Sequence, residues 1–429
     1  MKVYSEKYLK YFVILYSLIP FSLILGNAII NINVILINFV FIYIIIKNND
    51  YSSFRQKDFF YLIIIWLYLI INSIIQYKNH ENNNQYIFLD DGFQRSLGFI
   101  RYILFYLATK KFSEQFYKSW KIVFYIWTAV ISIVILDIFF ERVFGFNITG
   151  NASSSTHRIS SFFGTELVAG GFLYGLAFIS LAFVLTEKFF NKYFSIFILF
   201  AIPISIFITG ERSNFIKSLV IFFLFLLFID EKKLYIKKFN ITAAIIILIA
   251  LTFFSRDIRE RQLIIINEIK SSTSKHSDKF YLNTRNYYNN ALGIKIFLDN
   301  KFFGVGMKKF REICKSTKYK KISQKGCTTH PHQIYIELLS ELGMIGFLLI
   351  TIPTIVFLIK GINIYSKSRD LILLSCLLFI GTTWIPFLPS GSFFSSFNFS
   401  FYIINFGIAS SFINNYSLKI NENNCKSCS

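Results

Sequence analysis

Acid, histidine and cysteine are scarce in this chain. Twenty-four Asp and Glu stand against 45 Lys and Arg, and 429 residues hold only five His and five Cys. Internal repeats are absent, which removes the repeat symmetry that many secondary transporters show. No RNA- or DNA-binding module is visible, so the formal charge of +21 does not mark a nucleic-acid partner. Lys2, Lys7 and Lys10 precede the first apolar stretch, but no small-residue cleavage site follows. The reading is an uncleaved first span rather than a signal peptide.

What is abundant is apolar. Mean hydropathy is +0.52 and 54% of residues are hydrophobic, too high for a soluble protein of this length. Repeated apolar runs of roughly 17–25 residues match a bilayer core. The chain is also heavy in Ile, Lys, Asn, Phe and Tyr, a bias that an AT-rich genome produces without functional pressure. Single Lys and Asn residues therefore carry little information, while Arg, His, Pro, Gly and Cys carry more.

The expected fold is all-α and polytopic, with about twelve transmembrane helices. The spans are placed at 9–25, 28–46, 59–76, 97–109, 122–140, 163–186, 193–209, 214–229, 240–254, 338–359, 370–388 and 397–413. Lysine and arginine alternate in density between successive loops. The dense set includes Lys47, Arg55 and Lys57; Lys110, Lys111, Lys118 and Lys121; Lys188 and Lys192; and Lys360, Lys367 and Arg369. The positive-inside rule then puts both termini in the cytoplasm. Residues 1–429 read as a single membrane domain. The long polar segment 255–337, before the last three helices, falls outside; long loops translocate largely regardless of charge. It reads as a cap subdomain, with a turn or flexible stretch at 271–277 and helical spacing over 283–299. Cys314 and Cys327 lie in this oxidation-permissive loop and are a disulfide candidate. Cys376 reads as a buried apolar residue, and the C-x-x-C of Cys425 and Cys428 carries no weight.

The outside face gathers costly residues. Arg158 and Glu166 precede the sixth span. Glu211 and Arg212 occupy the turn Thr209-Gly210-Glu211-Arg212-Ser213, and charges at that depth are usually functional, though an interfacial snorkelling pair also fits. Lys217 reads as snorkelling to the interface. Arg285 opens the helical stretch of the loop, and Gly304-Val305-Gly306 follows. His330-Pro331-His332-Gln333 ends the loop. Three readings of the histidines stay open: helix capping, metal binding, or general base catalysis.

An outside site has no nucleotide-activated donor, so activated substrates must arrive on a lipid. A glycan on a polyprenyl pyrophosphate leaves behind a pyrophosphate that arginine can stabilise. A neutral imidazole can take the proton of an acceptor hydroxyl. No Asp-x-Asp motif is present to hold a nucleotide sugar through a metal.

These residues resemble the O-antigen ligase family, which shares a domain with O-antigen polymerases and bacterial protein O-oligosaccharyltransferases. Four segments carry the likeness: 158–171; the 209–213 turn; Arg285 through Phe310; and 329–347, with His332-Gln333, Leu338, Glu341-Leu342-Gly343 and Ile345-Gly346. Gln333 stands where the family more often has Asn, and Lys301 near where it often has Pro. The resemblance implies a GT-C-type fold and metal-independent, cofactor-free, inverting transfer of an undecaprenyl-pyrophosphate-linked glycan. The acceptor would be lipid A–core or another hydroxyl, at the periplasmic side of the bacterial inner membrane, among membrane lipids. It implies His332 as base and Arg212, Arg285 and Arg158 as pyrophosphate ligands, with His330, Glu211, Glu166 and Gln333 in support. Ligase, polymerase and protein glycosyltransferase share these motifs; ligase is the favoured reading. A polysaccharide or lipid transporter is the alternative from another class.

Overall fold

The computed structural model describes residues 6–79, 87–115, 117–154, 158–228, 285–319 and 327–426. In chain order its helices are α1 (Glu6–Ser17), α2 (Ile19–Ile24), α3 (Asn27–Asn48), α4 (Lys57–Asn79), α5 (Asp91–Gly98), α6 (Ile100–Gln115), α7 (Tyr117–Phe144) and α8 (Ala169–Thr186). They continue as α9 (Lys192–Ile208), α10 (Arg212–Phe228), α11 (Arg285–Asp299), α12 (Phe310–Ile313), α13 (Ile334–Ser368), α14 (Leu371–Thr383) and α15 (Ser396–Lys426). No strand is formed among the described residues, so the chain is all-α there.

Six segments are helical, long and apolar enough to cross a membrane: Asn27–Asn48, Lys57–Lys78, Ser119–Phe144, Ala169–Thr186, Ile334–Ser368 and Ser396–Tyr416. Leu9–Ile24, Lys192–Ile208 and Leu371–Thr383 are shorter apolar segments. The chain is a multi-pass membrane protein. The expected ninth span, 240–254, and the cap residues 255–284, including the stretch 271–277, lie outside the described residues.

Local sequence sets the helix ends. Gly26, at φ 107°, separates α2 from α3 with a backbone that L side chains rarely adopt. Asp90, Asn191 and Asp370 cap α5, α9 and α14 by accepting from the backbone N–H of Phe93, Phe194 and Ile372 at 2.8–2.9 Å. The sixth span starts later than its apolar run suggests, at Ala169, because 161–163 form a separate 3-10 turn closed by Gly164 at φ 61°.

The chain sorts into two compact units, 1–126 with 288–429, and 127–287. In the first, α6 packs on α15 and α3, α14 on α15 and α13, and α13 on α4. The cap residues of this unit have their own apolar core: Leu292, Ile296, Val305, Phe310, Cys314 and Tyr319. Cys314 and Cys327 are joined as a disulfide there, with Cα atoms 5.4 Å apart. In the second unit, α8, α9 and α10 pack against one another.

Helix α13 is two helices end to end. Gly343 takes φ 67°, ψ −173° inside it, a region essentially reserved for glycine. Such a break orphans carbonyls before it and N–H groups after it. Here the 301–306 loop supplies the partners. Val305 N donates to Ser340 O at 3.0 Å and Gly306 N to Glu341 O at 2.8 Å, while Met344 N donates to Lys301 O at 2.8 Å. Tyr68 on α4 caps Leu342 O at 2.5 Å. The approach is close enough that a Cβ on Gly304 would sit 2.5 Å from the Glu341 carbonyl carbon. The Gly-Val-Gly motif and the Glu-Leu-Gly motif, read separately in the sequence, are thus two sides of one backbone junction.

Candidate active site

The segment before α13 is pinned on several sides. Thr328 donates its hydroxyl to His330 O at 2.7 Å. Ser390, in the turn after α14, donates its N–H to His332 O at 2.8 Å. His332 itself holds φ 61°, unusual for a side-chain-bearing residue. Gln333 caps α13, its Oε1 accepting from Ile336 N at 2.9 Å. Pro331 packs where a Cβ on Gly293 of α11 would lie 3.3 Å from it, so α11 backs the segment closely.

The two imidazoles are not equivalent. Their ring centroids are 4.0 Å apart. His330 is buried at 9% exposure, and His332 is half-buried. His330 Nε2 lies 3.3 Å from the Ser390 carbonyl, which can only accept, so that nitrogen carries the hydrogen. Nδ1 then accepts from the Thr329 hydroxyl at 3.0 Å. Both nitrogens of His330 are therefore used in the neutral form. Burial pushes its pKa from the ordinary 6.5 down to about 4, helped by Lys308 and Arg311 and opposed by the Ser390 hydrogen bond.

That depression has a sign. Above pH 6.5 the folded and unfolded imidazoles are both neutral. Between 6.5 and 4 the unfolded protein binds a proton that the folded one does not. Stability is expected to fall as pH drops through that window, by about 1.4 kcal/mol per unit at most. Thermal midpoints of wild type and His330→Gln between pH 7 and 4.5 check this; the variant's midpoint should fall less steeply with acid.

A charged layer lies under the histidines. Glu337 and Glu341, one turn apart on α13, are fully buried, and Lys308 is 4% exposed. Glu341 accepts from Lys308 N at 2.8 Å. Glu337 accepts from the Ser392 hydroxyl at 2.6 Å and from Phe393 N at 2.9 Å. None of these except Glu341 figured in the sequence reading, and Glu341 only as a motif residue. The available signal was a pair of carboxylates inside an apolar helix, which is costly in a membrane and usually functional.

In the other unit, Arg158 donates to Leu167 O at 2.7 Å, and its Nε is buried without a protein partner. Glu211 accepts from Gly170 N and from the Asn214 amide, each at 2.7 Å. Burial raises the Glu211 carboxyl above its ordinary range, while Asn214 and the nearby Arg158 charge pull it down. Glu211 thus ties the start of α8 to the start of α10. Arg212 opens α10 and is exposed, as is Glu166. Arg285 is the first residue of α11. Asp137 and Glu141, missed in the sequence, hold the loop leading to Arg158: they accept from Ile148 N and Ser161 N, each at 2.7 Å. Lys217 does not snorkel. It is 2% exposed, with Nζ 5.8 Å from the Tyr174 ring centroid, because α8 covers the face of α10 that carries it.

No curated protein matches the chain. Residues 195–351 match the family described as O-Antigen ligase. The matched segment contains Arg212, Arg285, the loop inserted at Gly343 and the His330–His332 pair, and across it the chain carries the O-antigen ligase family's domain.

Proposed function

We propose that the protein is a membrane glycosyltransferase of the ligase type, acting on the periplasmic side of a bacterial inner membrane with both termini in the cytoplasm. The observation that carries this reading is the family match over 195–351, which takes in both the histidine segment and the arginine turn. The donor is an undecaprenyl-pyrophosphate-linked glycan and the acceptor a hydroxyl of lipid A–core. His332 accepts the acceptor's proton as its oxygen attacks the anomeric carbon from the face opposite the leaving group, inverting it. The C–O bond to pyrophosphate breaks, and its electron pair leaves on the pyrophosphate. Arg212, Arg285 and Arg158 offset the charge that accumulates there. His330, Glu211, Glu166 and Gln333 support these groups. The chemistry needs no metal, and the surrounding fold is of the GT-C type.

The test is the surface glycan profile of a strain lacking the protein. Lipid A–core without polymer, together with accumulated full-length lipid-linked polymer, is expected. Single-repeat attachment would instead identify a polymerase. Unchanged lipopolysaccharide with a hypoglycosylated protein would identify a protein O-oligosaccharyltransferase, and lipid-linked material held on the cytoplasmic side a transporter. Complementation with Arg212→Ala is expected to reduce transfer roughly 10²–10³-fold, as loss of one charge-stabilising donor does. Arg212→Lys should recover part of it, since lysine keeps the charge and loses the bidentate geometry.

A further inference from the structure

The buried charges beneath the histidines are wired in one direction. Lys308 Nζ hydrogen-bonds Ser392 Oγ, and an ammonium only donates, so Ser392 must accept from it. The Ser392 hydrogen is then committed to Glu337 Oε1 at 2.6 Å. Lys308 Nζ itself stands 3.9 Å from that oxygen. The second Glu337 oxygen is taken by Phe393 N at 2.9 Å. Three segments, the 301–309 loop, α13 and the turn after α14, therefore meet on one carboxylate with no exposure to solvent.

The charged groups facing this spot come from each packed element. Lys308 and Arg311 come from the loop and the helix after it, Glu337 and Glu341 from α13, and His330 and His332 from the segment above. The 390–393 turn contributes only hydroxyl and backbone groups. A proton arriving on an imidazole adds positive charge in a low-dielectric place that already holds Lys308 and Arg311. Glu337 is in Coulombic contact with His332, and Lys308 acts on His330.

We propose that Glu337 is a positioning residue for transfer: its carboxylate, held in place by Ser392, Phe393 and Lys308, stabilises His332 as an imidazolium when that ring takes the acceptor's proton. The assignment rests on His332 being the base. The acceptor oxygen bonds the anomeric carbon, the pyrophosphate leaves with the C–O electron pair, and the acceptor proton moves to His332. The imidazolium then returns that proton to solvent. Lys308 moderates the effect by offsetting the Glu337 charge when the base is empty.

Diethyl pyrocarbonate, which carbethoxylates neutral imidazole, reads this without any knowledge of the substrate. The purified full-length protein is treated across pH 5–9, and the peptide carrying His332 is quantified by mass spectrometry. Glu337→Gln is expected to shift the midpoint of His332 labelling down by roughly one pH unit, and Lys308→Met to shift it up by a similar amount. A double variant carrying both should return toward the wild-type midpoint. Midpoints that do not move, or that move in the same direction in both single variants, overturn the proposal. Each single variant leaves a buried charge unpaired and is destabilised for that reason. Should one fail to fold, the double variant must regain the fold and label near the wild-type midpoint; a double variant as unstable as the singles also overturns it. Failure of the proposed function appears elsewhere, as an unchanged glycan profile in the deletion strain.

Discussion

His332→Gln is expected to leave a folded protein that transfers glycan roughly 10²–10⁴-fold more slowly, the range a positioned general base contributes. Fold should survive because the backbone hydrogen bond at this position is kept. The His332 carbonyl accepts from Ser390 N, and glutamine retains it. The left-handed φ of 61° suits histidine somewhat better than glutamine, so a small loss of stability is expected without loss of the fold. His330→Gln provides the contrast. Its ring is buried and hydrogen-bonded at both nitrogens, so its replacement should alter stability more than the intrinsic rate. Single-turnover transfer in proteoliposomes, beside thermal midpoints of both variants, separates the two roles. Equal rate losses for His330→Gln and His332→Gln would remove the distinction drawn between them.

Gly343→Ala is expected to be severely damaging. The backbone there is at φ 67°, and an added Cβ would lie 2.2 Å from the Phe302 carbonyl oxygen. The dihedral alone costs of order 1–3 kcal/mol. The clash cannot be relieved by a rotamer, because the obstacle is backbone. Moving Phe302 would withdraw the loop that caps both halves of α13, and with it Lys308 from the charged layer. The variant should yield little monodisperse protein on detergent extraction. Gly381→Ala, in α14, is the matched control: no heavy atom lies within 4 Å of its added Cβ, and alanine favours helix. It should be neutral or slightly stabilising by thermal midpoint.

Much of the helix array was legible because apolar length is a coarse, repeated signal. The expected spans other than the ninth fall largely on helices, although 163–186 starts before α8 and 370–388 runs past the end of α14, and the helical spacing over 283–299 corresponds to α11. What escaped was set by tertiary contact. The break in α13 is invisible in hydropathy, since Leu342 and Met344 flank Gly343 as they would in any apolar run; only the inserted loop makes it necessary. Lys308 was lost in a lysine-rich background, although its buried ammonium is among the most constrained in the cap. Glu337 was absorbed into the following span, where its cost is met by Ser392 and Phe393 from a distant turn. Glu211 was read beside Arg212 as one charged turn. The fold separates them, one carboxylate anchoring α8 and one exposed guanidinium at the start of α10.

Ser390, in the turn after α14, meets the histidine segment through its main chain. Ser390 gives its N–H to His332 and its carbonyl to His330, while its own hydroxyl is buried without a partner. The constraint on this position is therefore one of spacing and not of side-chain identity. A different small residue at 390 can drift in without consequence. An inserted or deleted residue between Pro389 and Ser392 would move both imidazoles and strip Glu337 of its hydroxyl donor at once. Among relatives, the length of this turn should vary less than its letters do.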